Sequence, residues 1–196
     1  MKKIKKSTEL ITKKDYNQIM NFIKNNQSMR KTRKNRLLRI ISFLYHTGIR
    51  INESRQMTNK KMNELLNNGT LIIASHKQGS EKTIYITKSA IKELKSIFGP
   101  LEDNNMSLFV SERDKKTPLE PTAMIRDINT LLKNIFGADT RKTSHSFRKT
   151  LITDMAVKGI NTKIIQNMIG HKSITTTYNY IRTSDTDIIN ALEVVR

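Results

Sequence analysis

Apolar side chains return along most of this chain at intervals of three and four, the spacing of one helical face. Thr12 reads as an N-cap, and Tyr16, Ile19, Met20 and Ile23 follow it in phase. The stretch SMRKTRKNR, residues 28–36, breaks the repeat and reads as a basic linker. A second stripe holds Leu37, Leu38, Ile41, Leu44 and Tyr45 and stops at Gly48, after which a short helix is expected over residues 52–57. The pattern then changes. TLIIAS at 70–75 and KTIYIT at 82–87 read as strands, and Gly79 in the intervening HKQGSE suits a hairpin turn. A helix over residues 89–98 ends at Gly99 and Pro100, and LFVS at 108–111 reads as extended.

From Pro121 the helical period holds to the end. Residues 121–136 carry Ile125, Ile128, Leu132 and Ile135; residues 144–158 carry Phe147, Leu151, Ile152 and Met155. Asn161 caps a helix expected to bury Ile164, Ile165, Met168 and Ile169 before Gly170. A last helix after Ser184 shows Ile188, Ile189, Leu192 and Val195. The expected fold is mostly α with a small antiparallel β-sheet, an α+β arrangement in one domain over 1–196. Residues 1–10 form a basic arm and residues 184–196 a terminal helix.

Composition narrows the chemistry. There are no cysteines, which excludes disulfides and thiolate catalysis, and four histidines without paired spacing argue against a metal site. No apolar run approaches a membrane span, and MKKIKK at the start is followed by no apolar stretch, so a cytoplasmic protein away from membranes is expected. Charge changes the picture most. Lys plus Arg number 36 against 17 acidic residues, and the first forty residues hold 13 basic and 2 acidic side chains. Such a field attracts a polyanion, and Lys31, Arg33, Lys34 and Arg36 are the candidate DNA-binding residues.

Several polar residues fall at the edges of elements instead of on their apolar faces. Arg50 follows the Thr47-Gly48 break, Lys77 lies at the hairpin turn, His145 and Arg148 are one turn apart, and His171 comes just past Gly170. Their chemistry is coherent. Two arginines can clamp one phosphate and hold the charge of a pentacoordinate transition state. A lysine can protonate a departing 5′ oxygen, and a histidine can take the proton of a tyrosine nucleophile. No metal or other cofactor is required.

TGIRINE (47–53), HSFR (145–148), IGH (169–171) and Tyr180 resemble, in order, the four boxes of the tyrosine recombinase/phage integrase family. The spacing agrees: the histidine lies three before the second arginine, and Tyr180 lies nine after His171. The resemblance implies a tyrosine recombinase catalytic-domain fold and a site-specific recombinase working through a 3′-phosphotyrosine on Tyr180. By the same resemblance Arg50 and Arg148 are the phosphate clamp and His145 exchanges the nucleophile's proton. His171 bonds the scissile phosphate, Lys77 is the general acid with Lys82 as its fallback, and Glu53 orients His145. Tyr178, two positions before Tyr180 and about 200° around a helix, cannot address the same phosphate and is expected to be a packing residue.

The chain departs from the pattern in two ways. Lys149 follows Arg148 where many members have another histidine, and the catalytic-domain pattern begins near Leu10, so the N-terminal core-binding domain of most members is not expected within these residues. The implied partners are double-stranded DNA and further copies of the chain in a tetrameric synapse, the terminal helix docking in trans, with accessory proteins as additional partners. A type IB topoisomerase-like activity, or a silent DNA-binding protein on the same fold, is the alternative.

Overall fold

The computed structural model describes residues 8–75, 80–111, 116–171 and 173–178, together with Glu193. The sequence expectations for Lys77, Gly79, Tyr180 and, apart from Glu193, the terminal helix 184–196 lie outside the described residues.

Helix α1 (Lys13–Asn25) starts at a reciprocal cap in which Thr12 Oγ1 accepts from the Asp15 N–H and Asp15 returns the bond to the Thr12 N–H. Its buried Tyr16, Ile19, Met20 and Ile23 are those that the sequence pattern placed on one face. Helix α2 (Lys31–Thr47) supplies the centre of the core through Leu37, Ile40, Ile41, Phe43 and Leu44. The stretch expected as a basic linker is therefore largely helical from Lys31, because lysine and arginine are good helix formers whose charged ends reach water. Helix α3 (Ile51–Ser54) is a single turn. Helix α4 (Asn59–Asn68), which the sequence reading did not name, buries Met62, Leu65 and Leu66.

Strands β1 (Thr70–Ala74) and β2 (Glu81–Tyr85) pair antiparallel, Leu71 opposite Ile84 and Ile73 opposite Lys82. Leu71, Ile73, Lys82 and Ile84 thus turn to the protein interior. Helices α5 (Lys88–Phe98), α6 (Pro121–Phe136), α7 (Ser146–Val157), α8 (Thr162–Ile169) and the short α9 (Ile174–Tyr178) complete the order. Most apolar side chains join one core, but Ile152, Ile165 and Ile169 form a second small cluster between α7 and α8. Two expectations fail here. Ile164 is 58% exposed, since a helix edge that buries Ile165 and Ile169 turns its neighbour outward, and Tyr178 is 53% exposed instead of packed.

The segment ahead of α1 runs along α7. The Ile11 N–H donates to Thr150 Oγ1 at 2.7 Å, Thr8 O accepts from Lys149 Nζ, and Glu9 Oε1 pairs with Arg141 at 2.9 Å. Lys149, noted above as a departure from many members of the resembled family, is thus a structural tie. Among the described residues no helix is long and apolar enough to cross a membrane.

Candidate active site

The site is assembled where three tight chain reversals meet. Gly48 ends α2 at φ +59°, its N–H reaching Leu44 O, which releases the chain into Arg50 at the head of α3. A Cβ at Gly48 would lie 2.6 Å from Leu151 Cδ2, so this turn needs glycine both for its backbone angle and for the close approach of α7. Gly170 ends α8 at φ +72° and turns the chain into His171. At the head of α7, Ser146 Oγ accepts from the Thr143 N–H at 2.9 Å, and Asn129 Oδ1 accepts from the Ser144 N–H, fixing the turn that carries His145.

Arg148 joins the first two of these turns. The residue is 2% exposed, and its guanidinium donates to Gly48 O and to Ile169 O, each at 2.9 Å. These are carbonyls at the ends of α2 and α8, which have no partner within their own helices. One side chain therefore couples the turn before Arg50 to the turn before His171 and ties the small α7–α8 cluster to the main core.

Glu53 is buried, and both its oxygens are engaged. Oε2 accepts from the Arg50 N–H at 2.8 Å and from Lys82 Nζ, while Oε1 accepts from Arg50 Nη1 at 3.1 Å. Burial alone would raise its carboxyl pKa. The charge and hydrogen bond of Lys82, then the N–H and charge of Arg50, outweigh it and hold the group below its ordinary value. The expectation that Glu53 orients His145 is corrected by this geometry: the carboxylate serves Arg50 and Lys82. Lys82, expected at the strand entry as a fallback acid, sits within β2, and its side chain is 4% exposed. Burial pulls its ammonium down to about 8 against the opposing pull of Glu53.

Both histidines lie in this positive field. Crowding by protein lowers the pKa of His145, and the charges of Arg148, Arg50 and Lys149 lower it further, although part of the residue reaches solvent. His171 is buried and drops to about 4, through loss of solvent first and then Arg148, Arg50, His145 and Lys82. Both shifts favour the neutral ring near pH 7, more strongly for His171 than for His145. His171 Nδ1 lies 3.0 Å from Thr177 Oγ1, a fully buried hydroxyl on α9. In the tautomer in which Nδ1 accepts that hydroxyl, Nε2 carries the proton. Thr177 was not singled out from the sequence; its place in the run Thr175-Thr176-Thr177 hides which threonine faces inward.

Arg50, Lys82 and His171 line a cleft of about 820 Å³ between the hairpin and α8–α9, with Ser75, Ser80 and Thr176 on its walls. Of the residues singled out from the sequence, Arg50, Arg148, His145 and His171 share one electrostatic neighbourhood, and Glu53 joins it through Arg50; Lys77 and Tyr180 lie outside the described residues. Lys31, Arg33, Lys34 and Arg36 are elsewhere, on the first turns of α2, roughly 20–25 Å along that helix from the Gly48 turn. Arg33 and Arg36 there bond Asp127 of α6, at 3.3 and 2.5 Å. Among the described residues no three of His, Cys, Asp or Glu gather closely enough to hold a metal ion.

The family model described as the phage integrase family matches residues 9–187. The tyrosine recombinase XerA of Pyrococcus furiosus is 32% identical over 158 residues, which are 79% of this chain and 52% of the relative. The tyrosine recombinase XerC of Rickettsia canadensis is 30% identical over 149 residues, 74% of this chain and 46% of the relative. The chain thus spans about half the length of the curated relatives it matches. In structure it is similar to the XerA recombinase, with a TM-score of 0.71 at 22% identity over 95% of this chain and 65% of that one. It is similar also to the Tn1549 transposon integrase in complex with circular intermediate DNA, with a TM-score of 0.75 at 18% identity over 100% of this chain and 70% of that one. These likenesses show the fold.

Proposed function

Since the chain belongs to the phage integrase family, we propose that it is a site-specific DNA recombinase that cleaves and rejoins strands through a 3′-phosphotyrosine on Tyr180. The observation that carries this reading is the meeting of Arg50, Arg148, His145 and His171 in one positive field beside a cleft lined with hydroxyls. In the proposed reaction the Tyr180 oxygen attacks the scissile phosphorus and gives its proton to neutral His145. Arg50 and Arg148 hold the charge that builds on the non-bridging oxygens, and His171 donates from Nε2. The 5′ oxygen leaves with a proton from Lys77. Attack by a 5′ hydroxyl on the phosphotyrosine reverses these steps, so the bond energy is kept without ATP.

The relatives' names support a recombinase, and the Tn1549 integrase structure, which contains DNA, supports double-stranded DNA as the partner. We extend the reading to a tetrameric synapse in which the tail 185–196 docks on a neighbouring copy. The test offers nicked duplexes from DNA neighbouring the coding sequence, in buffer containing EDTA. Wild-type protein should give a denaturant-resistant adduct whose peptide contains Tyr180. Tyr180→Phe should bind DNA without forming it, and Tyr178→Phe should keep it. An adduct on Tyr178 overturns the assignment, and no adduct on any duplex overturns the enzyme. Removing 185–196 should spare the adduct and abolish strand exchange; full exchange without the tail rules out docking in trans.

A further inference from the structure

Three observations converge on Lys82, a residue to which the proposed reaction gives no part. Its ammonium is sealed from solvent against Glu53, with the carboxylate itself fully enclosed. The same Glu53 oxygen that meets Lys82 also accepts the Arg50 N–H, and the other oxygen holds the Arg50 guanidinium at 3.1 Å. The Lys82 stem passes directly over the turn that delivers His171: a Cβ at Gly170 would stand 3.1 Å from Lys82 Cδ and 3.6 Å from its Cβ. Lys82 therefore touches, through one side chain, the support of Arg50 and the support of His171.

We propose that Lys82 is a positioning residue, whose buried ammonium fixes Glu53 so that Glu53 aims the Arg50 guanidinium, and whose stem sets the Gly170 turn that presents His171. This rests on the recombinase reading for its kinetic consequence, but the arrangement itself exists without DNA. A buried carboxylate flanked by two cations has one low-energy orientation; with Lys82 removed, Glu53 would be held from one side only and Arg50 would swing with it. The geometry also separates Lys82 from the role of proton donor. A general acid must reach the departing oxygen, whereas this Nζ is enclosed and bonded to a carboxylate.

The contrast with Lys77 gives the test. Adduct formation is followed at saturating protein on the nicked duplex, with an ordinary 5′ oxygen or with bridging sulfur, which leaves without needing a proton. Lys77→Ala should be rescued by sulfur. Lys82→Met, which keeps the stem and loses the charge, should slow adduct formation by about ten- to a hundredfold on both substrates, with DNA affinity changed less than twofold. The double variant Lys82→Met with Glu53→Gln should be no slower than Glu53→Gln alone, because both act through one contact. Rescue of Lys82→Met by sulfur, a wild-type rate, or additive losses in the double variant would each overturn the proposal.

A DNA-free measurement keeps it distinct from the recombinase reading. By carboxyl carbon NMR, Glu53 should titrate below the ordinary carboxylate range in the wild type and above it in Lys82→Met, with faster hydrogen exchange at the Arg50 guanidinium. If wild-type protein forms no adduct yet these changes appear, the recombinase reading fails and the positioning contact stands. If neither the Glu53 titration nor the Arg50 exchange moves, the positioning role is lost whatever the DNA experiment gives.

Discussion

At the start of α2, Arg33 and Arg36 share Asp127; past its other end, Arg50 and Lys82 share Glu53. The two groupings contain the same chemistry, two cations on one carboxylate, and differ in where they stand. The first is partly open to water and joins α2 to α6. The second is enclosed, and the further charge of Arg148 is felt by Lys82 and by both histidines. Charge counted along the sequence therefore overstates what a polyanion meets at the start of α2. The assignment of Arg33 and Arg36 to DNA gives way in part to a structural use, while among the described residues neither Lys31 nor Lys34 pairs with a carboxylate, Lys34 Nζ donating to Lys24 O instead.

The largest effect that would sharpen this contrast is on stability. Arg148→Ala leaves the carbonyls of Gly48 and Ile169 without their buried donor and should cost about 3–5 kcal/mol, two charged hydrogen bonds at typical worth. Arg33→Ala should cost less than about 1 kcal/mol, as a partly exposed pair does. Urea denaturation of both variants reads the difference, and equal losses would erase the distinction between the two regions.

Next comes pH. His171 has a folded value of about 4 against an ordinary value near 6.5, so below pH 6.5 the unfolded chain binds the proton more readily. Stability should fall as pH drops from 6.5 towards 4, by about 2–3 kcal/mol, and a His171→Gln variant should lack that slope. A matched pH series of melting curves checks this. Parallel curves for the two proteins would mean that the ring stays solvated in the folded state.

Gly48→Ala should cost about 1–3 kcal/mol, through its left-handed backbone and the 2.6 Å approach of Leu151 Cδ2. A melting temperature within a degree of wild type would show that the turn gives way easily. The smallest expected effect separates the cations at the start of α2. Neutralising Lys31 and Lys34 should flatten the salt dependence of DNA binding by nearly one log–log unit per lost phosphate contact. Neutralising Arg33 and Arg36 should change the slope less, since Asp127 already engages them. Equal changes would return all four residues to the DNA surface.

Much of this was legible in the sequence because helix phase is a local property. The buried face of α1, the pairing of β1 with β2 and the helices α6, α7 and α8 follow from spacing alone, whereas in α2 spacing found Leu37, Ile41 and Leu44 but not Ile40 and Phe43. Helix α4 was not found, because asparagines and lysines surround its three buried apolar residues and dilute the repeat. At the site, motif spacing alone singles out Arg50, His145, Arg148 and His171, which the fold brings into one positive field. It could not give Glu53 its partner, since Lys82 lies 29 positions away on a strand. Nor could it distinguish Thr177 from its two neighbours. Such partners depend on which elements pack together, and no local period encodes that.

The strap ahead of α1 has a mechanical consequence. Lys149 and Thr150, which hold Thr8 and Ile11, are adjacent to Arg148 on α7. Tension entering the chain upstream of Thr8 is therefore delivered to the helix that carries the buried arginine before it reaches the core through α1. The strap is a lever with a short arm. A load of a few hydrogen bonds' strength would be transmitted to the joint between the Gly48 and Ile169 turns, and single-molecule pulling from residue 8 should register α7 as the first element to yield.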